Sequence, residues 1–343
     1  MAYISFQPSD HFNTKLYTGT GSSNTVTGVG FQPDFTWIKN RGDAESHCLF
    51  DAVRTNGYYL KSDATSAEID GASAGLWSAF ASDGFTVLNG NRTNDNGDTY
   101  ASWNWKANGA GSSNTDGDIT ATVSASTTSG FSIIKFTSAG SVSQSYGHGL
   151  SGTPKLWIIK DTSTSSNNWQ VYYNGTDRLK LDTNEATSTT ASQLMSANAT
   201  TITTPSYADG AWGNGSGLNY ITYAFQEIKG FSKIGKYTGN GNADGVYQHL
   251  GFSASWLMIK RTDSTASWVI FDNKRLGYNV ANYQLYSNST SAEGNNVLLD
   301  ITSQGFKCRA NHLDVNGSGA SYIYLAFAEA PLVSSNGVPA VAR

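Results

Sequence analysis

The sequence predicts an all-β protein built from three tandem antiparallel β-sandwich (jelly-roll-like) units with few short helical turns. Three observations carry that expectation. Glycine accounts for 36 of the 343 residues, aromatics for 12% and charged residues for only 14%, against a usual roughly 25% charged. The good helix formers Lys, Glu, Arg and Leu are correspondingly sparse. One series of landmarks recurs three times in the same order, which marks a repeat architecture. The recurring segments are short and rich in Ile, Val, Thr, Tyr, Phe and Trp, the residues of strands.

Taken in order, the opening segments are Phe12–Gly19, Phe131–Ser138 and Phe231–Gly239. The next segment ends in Lys after an apolar run: Asp34–Lys39, Lys155–Lys160 and Ser255–Lys260. In these segments Trp37, Trp157 and Trp256 read as equivalent core residues. A third segment comprises His47–Asp51, Trp169–Tyr173 and Trp268–Asp272. Thr65-Ser66-Ala67-Glu68 returns letter for letter as Thr290-Ser291-Ala292-Glu293, and Asp83-Gly84-Phe85 echoes Gln304-Gly305-Phe306. In the stretch from Ser73 to Ser82, Leu76, Ala79 and Phe80 have the spacing of a short helix. Asn96-Gly97 and Asn316-Gly317 signal turns before the closing strands Tyr100–Trp105, Tyr220–Phe225 and Tyr322–Phe327. The domains expected are 1–107, 130–229 and 230–330. Residues 108–129 form a linker, flexible over Gly111–Gly117 with a short strand after it, and 331–343 form a tail outside the repeat.

No run approaches the roughly 18 apolar residues of a helical membrane span, and a net charge of -4 offers no basic face for nucleic acid. The start, Met1-Ala2-Tyr3-Ile4-Ser5-Phe6, has neither the basic nor the apolar region of a signal peptide. Cys48 and Cys308 are too far apart in sequence for a metal-ligand spacing and read as reduced, partly buried thiols.

Gly130-Phe131-Ser132-Ile133-Ile134-Lys135 through Gly147-His148-Gly149-Leu150 resembles a repeat family of virion-associated proteins in tailed bacteriophages, frequent among marine and cyanobacterial phages. Gly230 through Gly241 shares the resemblance, as does the ending from Ala326-Phe327-Ala328-Glu329-Ala330-Pro331 to Ala342-Arg343. The resemblance covers nearly the whole chain and implies a tail-fibre-like structural protein. It supplies no catalytic residues.

The chemistry in the residues points the same way. His148 and His249 occupy matching places in units two and three and read as hydrogen-bonded strand-end residues. Asp51 and Asp272 are repeat-equivalent, with Tyr173 in the second unit's slot. As a carboxylate pair they suggest glycoside hydrolysis; as strand-end residues they accept backbone hydrogen bonds, which is the preferred reading. Glu68 and Glu293 read as turn or helix-start caps. Asn94-Asp95-Asn96-Gly97-Asp98 lacks acidic counterparts in the other units and reads as a hairpin turn rather than a calcium loop. Arg41-Gly42-Asp43 is treated as coincidence. Trp77 and Trp212 have no aromatic counterparts, and Trp212 lies in a glycine-bounded loop, so these two are the candidates for stacking on a glycan or anchoring a partner.

The expected function is therefore a non-enzymatic virion structural protein, a tail fibre or other head or tail appendage, assembled in the host cytoplasm and located in the virion. A lectin-like host-receptor module and a polysaccharide depolymerase are the alternatives. No cofactor or metal is expected, and no nucleic acid or membrane insertion. The expected partners are other virion proteins, further copies of the chain in a trimer, and a host surface glycan. In the tail, Pro331, Val333, Val338, Pro339 and Arg343 are expected to dock as an extended peptide on a neighbouring protein, since Pro339 is incompatible with a central strand.

Overall fold

A computed structural model describes residues 6–207, 210–275 and 283–329, and the backbone of 281–282, 332–333 and 339–340. The first unit contains β1 (Phe12–Thr18), β2 (Asn24–Thr27), β3 (Phe35–Asn40), β4 (Cys48–Asp51), β5 (Tyr58–Leu60), β6 (Ile69–Asp70), β7 (Trp77–Ala81), β8 (Gly84–Val87) and β9 (Thr99–Trp105). The second contains β10 (Ser112–Asn114), β11 (Ala121–Ser126), β12 (Phe131–Thr137), β13 (Ser145–Gly147), β14 (Leu156–Asp161), β15 (Gln170–Tyr173), β16 (Asp177–Lys180), β17 (Ser196–Ala197), β18 (Thr201–Thr203) and β19 (Asn219–Phe225). The third contains β20 (Ser232–Thr238), β21 (Tyr247–His249), β22 (Ala254–Arg261), β23 (Trp268–Asp272), β24 (Ala281–Tyr286), β25 (Gly294–Thr302), β26 (Gly305–Cys308) and β27 (Ser321–Ala328). Among the described residues the helical elements are a four-residue helix at Asn91–Asn94 and 3-10 turns at Pro8–Asp10 and Ala191–Gln193.

The main sheets share one order. It runs β1-β9-β3-β4-β5-β6 in the first unit, β12-β19-β14-β15-β16 within the second, and β20-β27-β22-β23-β24 within the third. The closing strand always lies between the opening strand and the Lys-ended strand, in antiparallel register: Phe12 faces Trp105, Phe131 faces Phe225 and Ser232 faces Phe327. A small sheet covers each main sheet: β2-β8-β7, β13-β18-β17, and in the third unit β25-β26-β21, which continues from β24. The repeated glycine of Asp83-Gly84-Phe85 and Gln304-Gly305-Phe306 follows from this cover. A Cβ on Gly84 would lie 2.0 Å from Val26 O, and one on Gly305 1.9 Å from Gln248 O.

Successive residues of a strand point to opposite faces, and here both faces are buried. Phe35, Leu156 and Trp256 point into one apolar core common to all three units, as do Trp37, Ile158 and Met258 two residues on. Ile38, Ile159 and Ile259, each one residue further, point into the core of their own sandwich. Three sheets thus surround a shared centre, each with its small sheet outside, which is why β3 and β14 are buried at every residue. This register corrects the expected tryptophan equivalence. All three are core, but Trp37 and Trp256 face the common centre whereas Trp157 faces its own sandwich against Tyr172.

Two further expectations change. Residues 108–129 are not a flexible linker: β10 pairs with β11, and β11 pairs with β12, extending the second sheet by two strands. The strand expected there exists as β11. The helix expected in Ser73–Ser82 is absent: after a turn the chain forms β7, and Trp77 is buried between the rings of Phe50 and Phe85. Of the tail residues, Val333 pairs with Pro339 in a two-residue ladder, an arrangement open to proline; Pro331, Val338 and Arg343 lie outside the described residues.

Candidate functional site

The polar chemistry concentrates where the units meet, and it is cyclic. The first residues of the third segment are His47, Trp169 and Trp268. Trp169 Nε1 donates to Lys61 O of the first unit at 2.8 Å, Trp268 Nε1 to Lys180 O of the second at 2.7 Å, and His47 Nε2 to Tyr286 O of the third at 3.0 Å. The acceptors are themselves equivalent, each following a core leucine, Leu60, Leu179 or Leu285. His47 Nδ1 accepts from Trp37 Nε1 at 2.8 Å, which places the ring proton on Nε2. Burial holds His47 well below its ordinary pKa, so the ring is neutral.

A second ring runs through the backbone. Glu68 N donates to Thr162 O at 3.1 Å, Thr187 N to Thr262 O at 2.8 Å and Glu293 N to Arg41 O at 2.8 Å. Units one, two and three therefore contact each other head to tail, and the cycle closes within one chain.

The carboxylates belong to the same interfaces. Asp51 accepts the N–H groups of Val53 and Arg54 on Oδ1, and Arg54 Nε and Tyr223 O–H on Oδ2, at 2.6 and 2.8 Å. Asp272 repeats this with Lys274, Arg275 and Trp103 Nε1. Trp103 and Tyr223 are equivalent residues of the closing strands; the third is Leu325, and the second unit's counterpart of the aspartates is Tyr173. Where the polar donor is lost, so is the acidic acceptor. The strand-end reading of Asp51 and Asp272 is supported, with an added ion pair to arginine. Glu68 and Glu293 are not caps. Glu68 lies 3.6 Å from Arg54, and Glu293 reaches Arg275 at 3.0 Å and Arg41 at 2.8 Å. Arg41 thus ties the first unit to the third.

Lys39, Lys160 and Lys260 are fully buried. Each curls back to the carbonyl of the next residue: Asn40 O at 2.6 Å, Asp161 O at 2.6 Å and Arg261 O at 2.7 Å. Loss of hydration pushes all three down to about 8. Tyr100, Tyr220 and Tyr322 form another matched set. Each hydroxyl accepts a backbone N–H, from Asp95, Gly215 or Gly317, and donates to Asn91 O, Gly210 O or Leu313 O.

The expected binding tryptophans present no open ring. Trp77 is fully buried, and its Nε1 donates to Asn56 Oδ1 at 3.3 Å. Trp212 is 4% exposed, with the Arg178 guanidinium 5.2 Å from its centre and Tyr207 beside it at 5.1 Å. It closes the end of its own sandwich. The two histidines are out of register. His148 N donates to Thr200 O as Val29 N does to Asp83 O and Leu250 N to Gln304 O. His148 therefore fills the buried slot of Val29 and Leu250, while His249, one position earlier, is exposed. Cys48 and Cys308 are buried free thiols, and burial raises both. At the common centre a void of about 10 Å³ is lined by Phe35, Trp169, Tyr223, Trp256 and other apolar residues, at the lower limit for a single water and without partners for one. Among the described residues no group of three His, Cys, Asp or Glu is placed to hold a metal ion, and no helix is long and apolar enough to cross a membrane.

The rings were missed in the sequence because the acceptors are backbone carbonyls and the donors change from His to Trp. The recurring Lys after Ile was visible there, but its burial was not. A family model described as a domain of unknown function (DUF7483) matches residues 7–331. No curated protein matches the chain, and no solved structure does.

Proposed function

The chain belongs to this family of unknown function, DUF7483, and we propose that it is a non-enzymatic structural component of a phage particle, a tail fibre or another head or tail appendage. The observation that carries the reading is the closed cycle of units about one core. Its repeated polar devices join one unit to another: Tyr223 donates to Asp51, Trp103 to Asp272, and His47, Trp169 and Trp268 form their ring. Such a body suits a rigid part. The phage assignment itself rests on the sequence resemblance. Neither alternative gains from the geometry: Trp77 and Trp212 offer no free ring to a sugar, and Asp51 and Asp272 are each paired with a buried arginine. Mass spectrometry of purified particles tests the proposal. Peptides of this chain at a fixed stoichiometry are expected, and their absence from intact particles contradicts it.

A further inference from the structure

The three opening strands β1, β12 and β20 are equivalent, yet their outer edges are treated differently. In the second unit β11 lies along β12, with Ser124 opposite Ile133 and Val123 opposite Ile134. In the third unit the first two outward N–H groups of β20 are occupied by the approaching chain, Ser232 N by Ile228 O at 2.8 Å and Ile234 N by Glu227 Oε2 at 3.1 Å. In the first unit Thr14 stands where Ile234 does, since Thr14 faces Trp103 as Ile234 faces Leu325. The residue seven before it, in the place of Glu227, is Gln7, which is exposed. Among the described residues β1 borders only β9. The carbonyls of Asn13 and Lys15 are turned toward β9, where the side chains of Asn104 and Ser102 reach them. The backbone groups of Phe12, Thr14 and Leu16 therefore point outward, because alternate residues of a strand bond to opposite neighbours.

We infer that the outer edge of β1 is a strand-addition site for an extended segment of another protein that carries a carboxylate opposite Lys15. The chain itself supplies the pattern of the occupant. On β11, Ala121 and Val123 are buried in the second sandwich and alternate with Thr122 and Ser124. The acid follows from position. Lys15 stands where Ile134 does, opposite the place of Val123, and its ammonium lies over Gly28, whose added Cβ would be 2.8 Å from Nζ. The nearby Asp83 carboxylate is turned to the N–H groups of Gly28 and Gly30 at 2.9 and 2.6 Å. A lysine on an edge also disfavours addition of a second copy's β1, so the site selects a segment of complementary charge. Main-chain bonds supply affinity and the facing side chain supplies choice, as in other strand additions.

The probe is a peptide of residues 119–127, the β11 sequence, carrying Val123→Asp. Amide hydrogen exchange of the full chain is followed residue by residue. In the free protein the Thr14 and Leu16 amides are expected to exchange fast and those of Ile133 and Lys135 slowly. The peptide is expected to slow Thr14 and Leu16 by about tenfold or more. Lys15→Glu abolishes that effect, and a peptide with Val123→Lys restores it on the variant. Thr14 and Leu16 amides already slow in the free protein mean that the edge is covered by the chain itself or by another copy, and overturn the inference. No slowing at millimolar peptide, or equal slowing by peptides of either charge, overturns it as well.

Discussion

At His47 the inter-unit ring depends on a proton. Its folded pKa lies well below 6.5, so below pH 6.5 the unfolded chain binds a proton that the folded chain does not. Stability is complete above 6.5 and falls as the pH drops toward the folded value. His11 and His148 are lowered by burial too and act in the same direction. His47→Gln keeps an acceptor for Trp37 and a donor for Tyr286 without titrating. Urea unfolding at pH 7 and pH 5 is expected to show a smaller loss in this variant, by about 1 kcal/mol per pH unit; equal losses contradict a neutral buried ring. Lys160 has the opposite window. With a folded value of about 8 against 10.5 unfolded, the charged amine opposes folding below pH 8, and stability rises between 8 and 10.5. Lys160→Met is expected to stabilise the protein at pH 7 by about 1–3 kcal/mol and to remove its share of the alkaline rise. A destabilised variant at pH 7 contradicts this account of the lysine.

At the scale of elements, residues 108–129 provide a clear check. Their strands β10 and β11 are hydrogen-bonded into the second sheet, so limited proteolysis under native conditions is expected to spare them until the whole molecule opens. Early cleavage between Gly111 and Gly117 would restore the flexible-linker reading. Deleting residues 332–343 is expected to leave the circular dichroism spectrum and the melting temperature unchanged to within about 2 °C. Phe327 already closes that end against Phe12 and Phe231. A large drop in melting temperature contradicts it. The strands and their succession along the chain, though not their order in the sheets, were legible in the sequence where a side chain does the same work in every unit, as Tyr100, Tyr220 and Tyr322 do. They were illegible where composition misleads. Gly111-Ser112-Ser113-Asn114 looks like a linker because its side chains are small and polar, yet edge pairing uses only backbone. Leu76, Ala79 and Phe80 have helical spacing, yet Trp77 stacked between Phe50 and Phe85 requires a strand. The candidate site was misread for a related reason: glycines beside Trp212 suggested exposure, whereas they let the loop fold the ring onto Arg178.

For the whole molecule, three repeats were visible in the sequence but their arrangement was not. Tandem units imply a string, whereas this chain closes into a cycle. Each unit leaves one face of its main sheet, with Trp37, Ile158 or Met258 at its centre, to be buried only by the other two. The hydrophobic gain of that shared core is unavailable to a unit alone. It follows that the three units unfold together although each resembles a domain. Differential scanning calorimetry of the intact chain tests this most directly. One transition is expected, with a calorimetric enthalpy of roughly 240 kcal/mol at about 0.7 kcal/mol per residue and a van't Hoff enthalpy equal to it. Separate transitions, or a van't Hoff enthalpy near one third of the calorimetric value, would show three independent domains and contradict the shared core.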